Sequence, residues 1–257
     1  MKCVILAGGL GTRLAEQTDL LPKPLVEIGG KPILWHIMKI YSDYGINDFI
    51  ICCGYKGYLI KEYFANYSLH TSDVTFDMGS GQIEVHRKET EPWKVTLVDT
   101  GQSTLTGGRL LRVSGFLDPG ESFCFTYGDG VADIDINKLV DFHRAHGKLA
   151  TVTAVRSPGR YGALRLGDGN QVDDFSEKTE GERSWINGGF FVLNYQVFER
   201  ITGDQSSWEG EPLSSLSRDK MLSAFKHEGF WQPMDTLREK NLLNDLWEKG
   251  EAPWKTW

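Results

Sequence analysis

The residues best suited to chemistry stand near the start of the chain. Gly8-Gly9-Leu10-Gly11-Thr12-Arg13-Leu14 follows an apolar run, and Pro22-Lys23-Pro24 comes shortly after it. Backbone amides in a glycine-rich turn can converge on an anion, because a chain without side chains approaches phosphate closely. Arg13 offers a bidentate fork for phosphate, and Lys23 is set rigidly between two prolines. No Lys-Ser or Lys-Thr ends the loop, and its glycines are not at dinucleotide-fold spacing, so a P-loop kinase and a dehydrogenase both fail to fit. A tight turn that binds nothing is the plain alternative. A second candidate is Asp129, in Tyr127-Gly128-Asp129-Gly130. It follows an apolar strand and so shares a sheet edge with the glycine loop. Taken alone, it reads best as a turn or cap residue.

The glycine loop ending in Thr12-Arg13-Leu14, with Pro-Lys-Pro close behind, resembles the signature of the sugar-1-phosphate nucleotidylyltransferases. The likeness covers essentially the whole chain. Gly30 to Met38, Cys52 to Tyr58, Val98 to Arg109, Tyr127 to Asp133 and Phe230 to Thr236 resemble in particular the branch that joins CTP to glucose 1-phosphate. That branch yields CDP-glucose and pyrophosphate, the entry step toward dideoxysugars of surface polysaccharide. The resemblance implies that Leu6, Ala7, Gly8, Gly9, Leu10, Gly11, Thr12 and Arg13 bind the nucleotide, with Arg13 and Lys23 as the catalytic cations. It implies Mg2+ as cofactor, held by Asp129 and by Asp235 late in the chain. Gly162, Glu177, Lys178 and Asn187 would take the sugar phosphate. Here Glu177-Lys178-Thr179 departs from the family's Glu-Lys-Pro, which loosens the following turn but keeps both functional side chains.

Cytosine presents acceptors at O2 and N3 and a donor at N4, so its reader should pair a cationic donor with a carbonyl or hydroxyl acceptor. Val98 to Arg109 can supply these. Thr104 and Arg109 are assigned to the base and Gly128 to the nucleoside, with a solvated helix arginine as the alternative for Arg109. Two rivals remain. One is a glycosyltransferase using Asp133 and Asp135 as its metal motif, although these read better as helix caps. The other is a nucleotide-sugar sensor without turnover. His143 and His146, three apart on a helix face, are weak candidates for metal ligands.

These residues need a frame. Lys2 to Ala7 reads as a buried strand, Pro32 to Gly45 as a helix with proline at its start and glycine past its end, Phe49 to Cys53 as a strand and Lys56 to Tyr67 as a helix. That alternation predicts parallel strands joined by right-handed crossovers. Residues 73–99 alternate in the manner of antiparallel strands around Gly79-Ser80-Gly81, which predicts an inserted β arm. A helix near Gly107 to Gly115, the strand Ser122 to Tyr127, a helix over Asp135 to Ala145 and the strand Ala150 to Val155 resume the α/β rhythm. Short strands at Gly162 to Leu166, Val172 to Ser176 and Trp185 to Leu193 precede helical segments at the end. The expected fold is therefore α/β, a Rossmann-like mixed, mostly parallel sheet flanked by helices, in a single domain over 1–257.

The chain carries 28 basic and 35 acidic residues, net -7, with no basic tract, so nucleic acid is not an expected partner. No apolar run is long enough for a membrane span, and the opening run is too short for a signal peptide, which predicts a cytoplasmic protein. Cys3, Cys52, Cys53 and Cys124 sit in apolar strands without C-x-x-C spacing and read as buried thiols. Trp247, Trp254 and Trp257 crowd a terminus that would ordinarily fray. Docking onto the same subunit and contact with a neighbouring one are both open. The arm and this tail, surplus to the site, predict a symmetric homo-oligomer, a hexamer being one of the copy numbers left open.

Overall fold

The computed structural model describes residues 1–9, 11, 20–88, 90–156, 163–166, 172–176 and 185–257. The chain opens with β1 (Lys2–Ala7), then the short ribbon β2 (Glu27–Ile28) and β3 (Lys31–Pro32), helix α1 (Ile33–Asp43) and β4 (Asp48–Cys53). Helices α2 (Gly57–Ala65) and α3 (Tyr67–His70) lead to the hairpin β5 (Ser72–Asp77) and β6 (Gln82–Lys88), then β7 (Lys94–Asp99) and α4 (Thr106–Arg112). Next come β8 (Ser122–Tyr127), β9 (Gly130–Ala132), α5 (Ile136–His146), β10 (Ala150–Arg156), the pair β11 (Ala163–Leu166) and β12 (Val172–Ser176), and β13 (Trp185–Asn194). The described chain ends through α6 (Glu211–Arg218), β14 (Leu222–His227), β15 (Trp231–Pro233) and α7 (Leu237–Glu248).

Seven strands form one sheet in the order β14-β10-β13-β8-β1-β4-β7. Every neighbouring pair is parallel except the two that include β13. Six strands thus deliver their C-terminal ends to one edge, and the reversed β13 brings its N-terminal residues to the same edge. Successive residues of β1 face opposite sides of the sheet. Cys3, Ile5 and Ala7 join Ile33, Ile37 and Tyr41 in one core. Val4 and Leu6 join Leu110, Phe125 and Trp208 in the other. A strand covered on both faces accounts for the unbroken apolar run.

Local chemistry explains where the helices begin and end. Pro32, which has no N–H to leave unpaired, precedes α1, and Gly45 takes φ 78° beyond its end. Asp135 caps α5 by accepting the Lys138 backbone N–H at 2.9 Å, and Gly147 at φ 66° ends it. Asp133 is not a cap. Its Oδ1 faces His227 Nε2 at 3.0 Å, and its backbone N–H donates to the Phe230 carbonyl. The Asp-x-Asp pair is therefore split between two structural tasks. His143 and His146 both contact the Thr151 hydroxyl, at 2.9 and 2.7 Å, and bind the helix to β10.

Two expectations need correction. The arm does not extend over 73–99: β5 and β6 form the hairpin, but β7 pairs in parallel with β4 at the sheet edge. An edge strand buried on one side shows the same alternation as a hairpin strand, so pattern alone could not separate them. The helical segments expected near the end are present as α6 and α7, and between them β14, which the pattern does not show, extends the sheet beside β10. The helix expected over Lys56 to Tyr67 breaks at Asn66 into α2 and α3.

The tail docks on its own chain. Trp254 is fully buried, stacks on Phe230 and Trp247, and donates its indole N–H to His36 Nδ1 at 3.3 Å. Burial pushes the His36 imidazole down to about 4, so it stays neutral and can accept that bond while Nε2 donates to the Ile28 carbonyl at 2.8 Å. All four cysteines are free and buried. Among the described residues, no helix is long and apolar enough to cross a membrane.

Candidate active site

The edge that collects the strand ends holds a cavity of about 490 Å³. Its walls are Leu6 to Gly9 leaving β1, Gln102 to Thr106 leading into α4, Lys23 and Pro24, and Tyr127 to Asp129 leaving β8. A smaller cavity of about 240 Å³ lies beside it, between Asn187 to Gly189, Trp231 and Tyr127. Tyr127, Asp129 and Asp235 line both cavities, so two ligands seated there would meet at a pair of carboxylates. Gly128 permits this convergence, since a Cβ at that position would lie 2.6 Å from the Leu6 carbonyl oxygen.

Lys23 sits between the two carboxylates, its Nζ 2.6 Å from Asp129 Oδ2 and 2.7 Å from Asp235 Oδ1. Prolines on both sides set its direction, and it starts a single 3-10 turn (Lys23–Leu25) that buries its stem. Burial alone would draw the ammonium pKa down, but the two carboxylates outweigh it and hold Lys23 above the ordinary lysine value. Asp235 is placed by the start of α7. Glu239 forms a capping box with Thr236 and also accepts the Asp235 backbone N–H at 2.8 Å.

Arg109 is buried, 5% exposed, so it is not a solvated helix arginine. Its guanidinium donates to the Thr100 hydroxyl at 2.8 Å and to the carbonyls of Gly101 at 2.7 Å, Gln102 at 3.1 Å and Cys53 at 3.3 Å. It packs between Gly8 and Gly54, where a Cβ on either would collide with it. Arg109 thus holds the 100–102 loop as a rigid wall of the larger cavity. Thr104, also buried, lines that wall. Helix α4 is itself clamped: Leu105 and Gly108 donate backbone N–H groups to Asp204 and Ser206 carbonyls, and Gly107 and Gly108 are needed for that approach.

The structure brings Leu6, Ala7, Gly8, Gly9, Gly11, Lys23, Thr104, Arg109, Gly128, Asp129 and Asp235 around one cavity, and Asn187 into the adjoining one. Leu10, Thr12, Arg13, Gly162, Glu177 and Lys178 lie outside the described residues. Sequence reasoning missed Tyr127, the wall common to both cavities, although an aromatic at the end of a strand before Gly-Asp is a visible signal. It also missed Trp231, whose indole N–H donates to the Gly188 carbonyl at 2.7 Å and shapes the smaller cavity.

The donor set suits a hard cation. Two carboxylates from separate strand ends converge on one positive charge and, among the described residues, no imidazole or thiolate stands between them. Among the described residues, no group of three or more His, Cys, Asp or Glu could hold a metal alone. Further ligands would have to come from substrate phosphates or water, as is usual for magnesium.

A family model described as nucleotidyl transferase matches residues 2–234. The glucose-1-phosphate cytidylyltransferase of Salmonella typhimurium is 65% identical over 257 residues, covering 100% of both chains. The probable glucose-1-phosphate cytidylyltransferase of Bacillus subtilis is 45% identical over 258 residues, again covering 100% of both. Among solved structures, HddC from Yersinia pseudotuberculosis matches with a TM-score of 0.68 at 23% identity, covering 96% of this chain and 99% of its own, which shows the shared fold. Since the family match runs from β1 through β15 and takes in every lining residue of both cavities except Asp235, which follows it directly, the chain belongs to the nucleotidyl transferase family.

Proposed function

We propose that the chain transfers the cytidylyl group of CTP to α-D-glucose 1-phosphate, giving CDP-glucose and pyrophosphate. The observation that carries this reading is the pair of adjoining cavities meeting at Asp129 and Asp235, in a chain with full-length likeness to cytidylyltransferases. The larger cavity takes the nucleotide against the glycine loop, with Thr104 and the Arg109-braced loop facing the base. The smaller takes the sugar at Asn187, and the family resemblance assigns Gly162, Glu177 and Lys178 to the sugar phosphate.

A phosphate oxygen of the sugar phosphate attacks the α-phosphorus, and the bond from that phosphorus to the bridging oxygen breaks. Pyrophosphate leaves with the electron pair. Two polyanions must approach, so positioning and charge neutralisation carry the rate. No general base is required, because a phosphate monoester with a second pKa of about 6 is already largely ionised at neutral pH. Arg13 and Lys23 neutralise the triphosphate. Asp129 and Asp235 hold Mg2+, which when bound supplies charge stabilisation at the reacting phosphates.

The test is pyrophosphate release with glucose 1-phosphate, comparing CTP, UTP, dTTP, ATP and GTP with and without chelator. Metal-dependent release with CTP well above the others is expected. Release with another nucleotide keeps the reaction and overturns the base assignment. Folded protein inactive with every nucleotide and sugar phosphate would move the reading to the sensor.

A second copy of the chain is assigned to the exposed face of the hairpin. Phe76 pairs with Ile83 and Val74 with Val85 across β5 and β6, and Phe76, Met78, Ile83 and Val85 are all exposed. A lone two-stranded ribbon is marginal in water unless something covers its apolar face. Changing Phe76 and Ile83 to serine is expected to shift the protein to a smaller species in light scattering without changing its fold. An unchanged mass would remove the hairpin from the interface. Buried reduced thiols suit the cytoplasm for such an enzyme.

A further inference from the structure

Glu209 belongs to no element of the site described so far, yet three hydroxyls from separate parts of the chain converge on its carboxylate. Its Oε1 accepts from the Tyr127 hydroxyl at 2.5 Å, while Oε2 accepts from the Thr106 hydroxyl at 2.6 Å and the Ser207 hydroxyl at 2.7 Å. Among the described residues, no lysine or arginine pairs with it. An ionised carboxylate only accepts hydrogen bonds, so the direction of the proton on Tyr127 is settled. The Tyr127 oxygen is left to accept, and Asn187 Nδ2 approaches it at 3.4 Å. Asn187 Oδ1 in turn accepts the Gly189 N–H at 2.8 Å. A directed chain therefore runs from Glu209 through Tyr127 to the carboxamide of Asn187 in the smaller cavity.

We propose that Glu209 is a positioning residue for the sugar side of the site, fixing the Tyr127 hydroxyl as a donor and through it the orientation of the Asn187 amide. The inference rests on the reading of the smaller cavity as the sugar site. One chemical fact supports it beside this geometry. Burial would raise the Glu209 pKa, but the hydrogen bonds from Thr106, Tyr127 and Ser207 outweigh burial and hold the carboxyl below its ordinary value, so it stays an acceptor. Glutamine at 209 would remove the enforced direction, since its amide can donate to the tyrosine oxygen and so release Asn187 to turn over. The competing role for Glu209 is a simple tie between α4 and the 207–209 loop through Thr106, whose hydroxyl also accepts the Trp208 N–H at 2.8 Å. That role concerns the nucleotide side.

The two roles separate in steady-state kinetics with each substrate varied in turn. Wild-type activity with CTP and glucose 1-phosphate is established first; if another sugar phosphate proves to be the substrate, the function reading changes and the split is read with that sugar phosphate instead. Glu209→Gln is expected to raise the KM for the sugar phosphate about tenfold, the scale of one redirected hydrogen bond, with kcat and the KM for CTP within about twofold. Tyr127→Phe, which leaves the glutamate in place, is expected to raise the KM for the sugar phosphate by the same factor. The double variant should be no worse than either single one, because both break one chain. Equal rises for both substrates, a loss confined to kcat, no change, or additive losses in the double variant would each overturn the proposal. Should Glu209→Gln fail to fold, Tyr127→Phe alone decides, by the presence or absence of the sugar-side KM rise.

Discussion

Lys23→Met is expected to lower turnover by about 10² to 10³, the scale for losing one stabiliser of transition-state charge, while the free protein binds Mn2+ more tightly than wild type. The opposed directions follow from the geometry. The Lys23 ammonium stands where the Asp129 and Asp235 carboxylates converge, within 2.7 Å of both. Removing it takes a cation from the triphosphate and removes the positive charge standing between the two carboxylates, which raises their demand for a divalent ion. Titration of the protein with Mn2+, following free ion by electron paramagnetic resonance without nucleotide, measures the second effect independently of activity. Unchanged Mn2+ affinity would mean that the two carboxylates do not act together as a metal site. Asp129→Asn is expected to lose turnover on the same scale but to bind Mn2+ more weakly, so the two variants should separate in the titration.

The second large effect is expected at Arg109. Arg109→Ala removes the guanidinium donor from the carbonyls of Gly101 and Gln102, while the Cys53 carbonyl keeps the Thr100 N–H and hydroxyl. At about 1 kcal/mol for each of these two groups, a stability loss of about 2 kcal/mol should appear in chemical denaturation. Arg109→Lys retains the charge but cannot span the loop with a planar fork, so it should recover part of the stability. Both variants should lose discrimination between CTP and UTP by about tenfold, because the wall presented to the base is the loop that Arg109 braces. Equal loss of kcat/KM with every nucleotide would show that the loop supports the fold and does not read the base.

Much of the fold and of the site is legible in the amino-acid sequence, for identifiable reasons. Asp129 can be placed because an apolar parallel strand delivers whatever follows it to the ligand edge of the sheet. Pro32 and Gly45 mark the ends of α1 because each does something locally that other residues do poorly. What local pattern does not carry is whatever depends on distant partners. Nothing in the texture of residues 94–99 says that they pair with β4 and not with the hairpin before them. Glu209 makes its bonds to Tyr127 and Thr106 across 82 and 103 residues, so no local pattern flags it. Arg109 on its short helix could equally be a surface arginine, and only the carbonyls gathered around it from other segments decide the matter. Asp133 has the position of a cap, and only His227, far along the chain, gives it another task.

The docking of the tail ties the first helix to the last residues of the chain. Trp254 meets His36 across 218 residues, the Gly29 N–H donates to Asn244, and the Thr256 hydroxyl donates to Asp43. An early part of the nascent chain is thus sealed by a segment made much later. Until residues 244–256 have left the ribosome, the face of α1 around His36 stays open, and β10 waits for β14 as well. In that interval the growing chain carries an uncovered apolar surface that chaperones can recognise and neighbouring chains can mispair with.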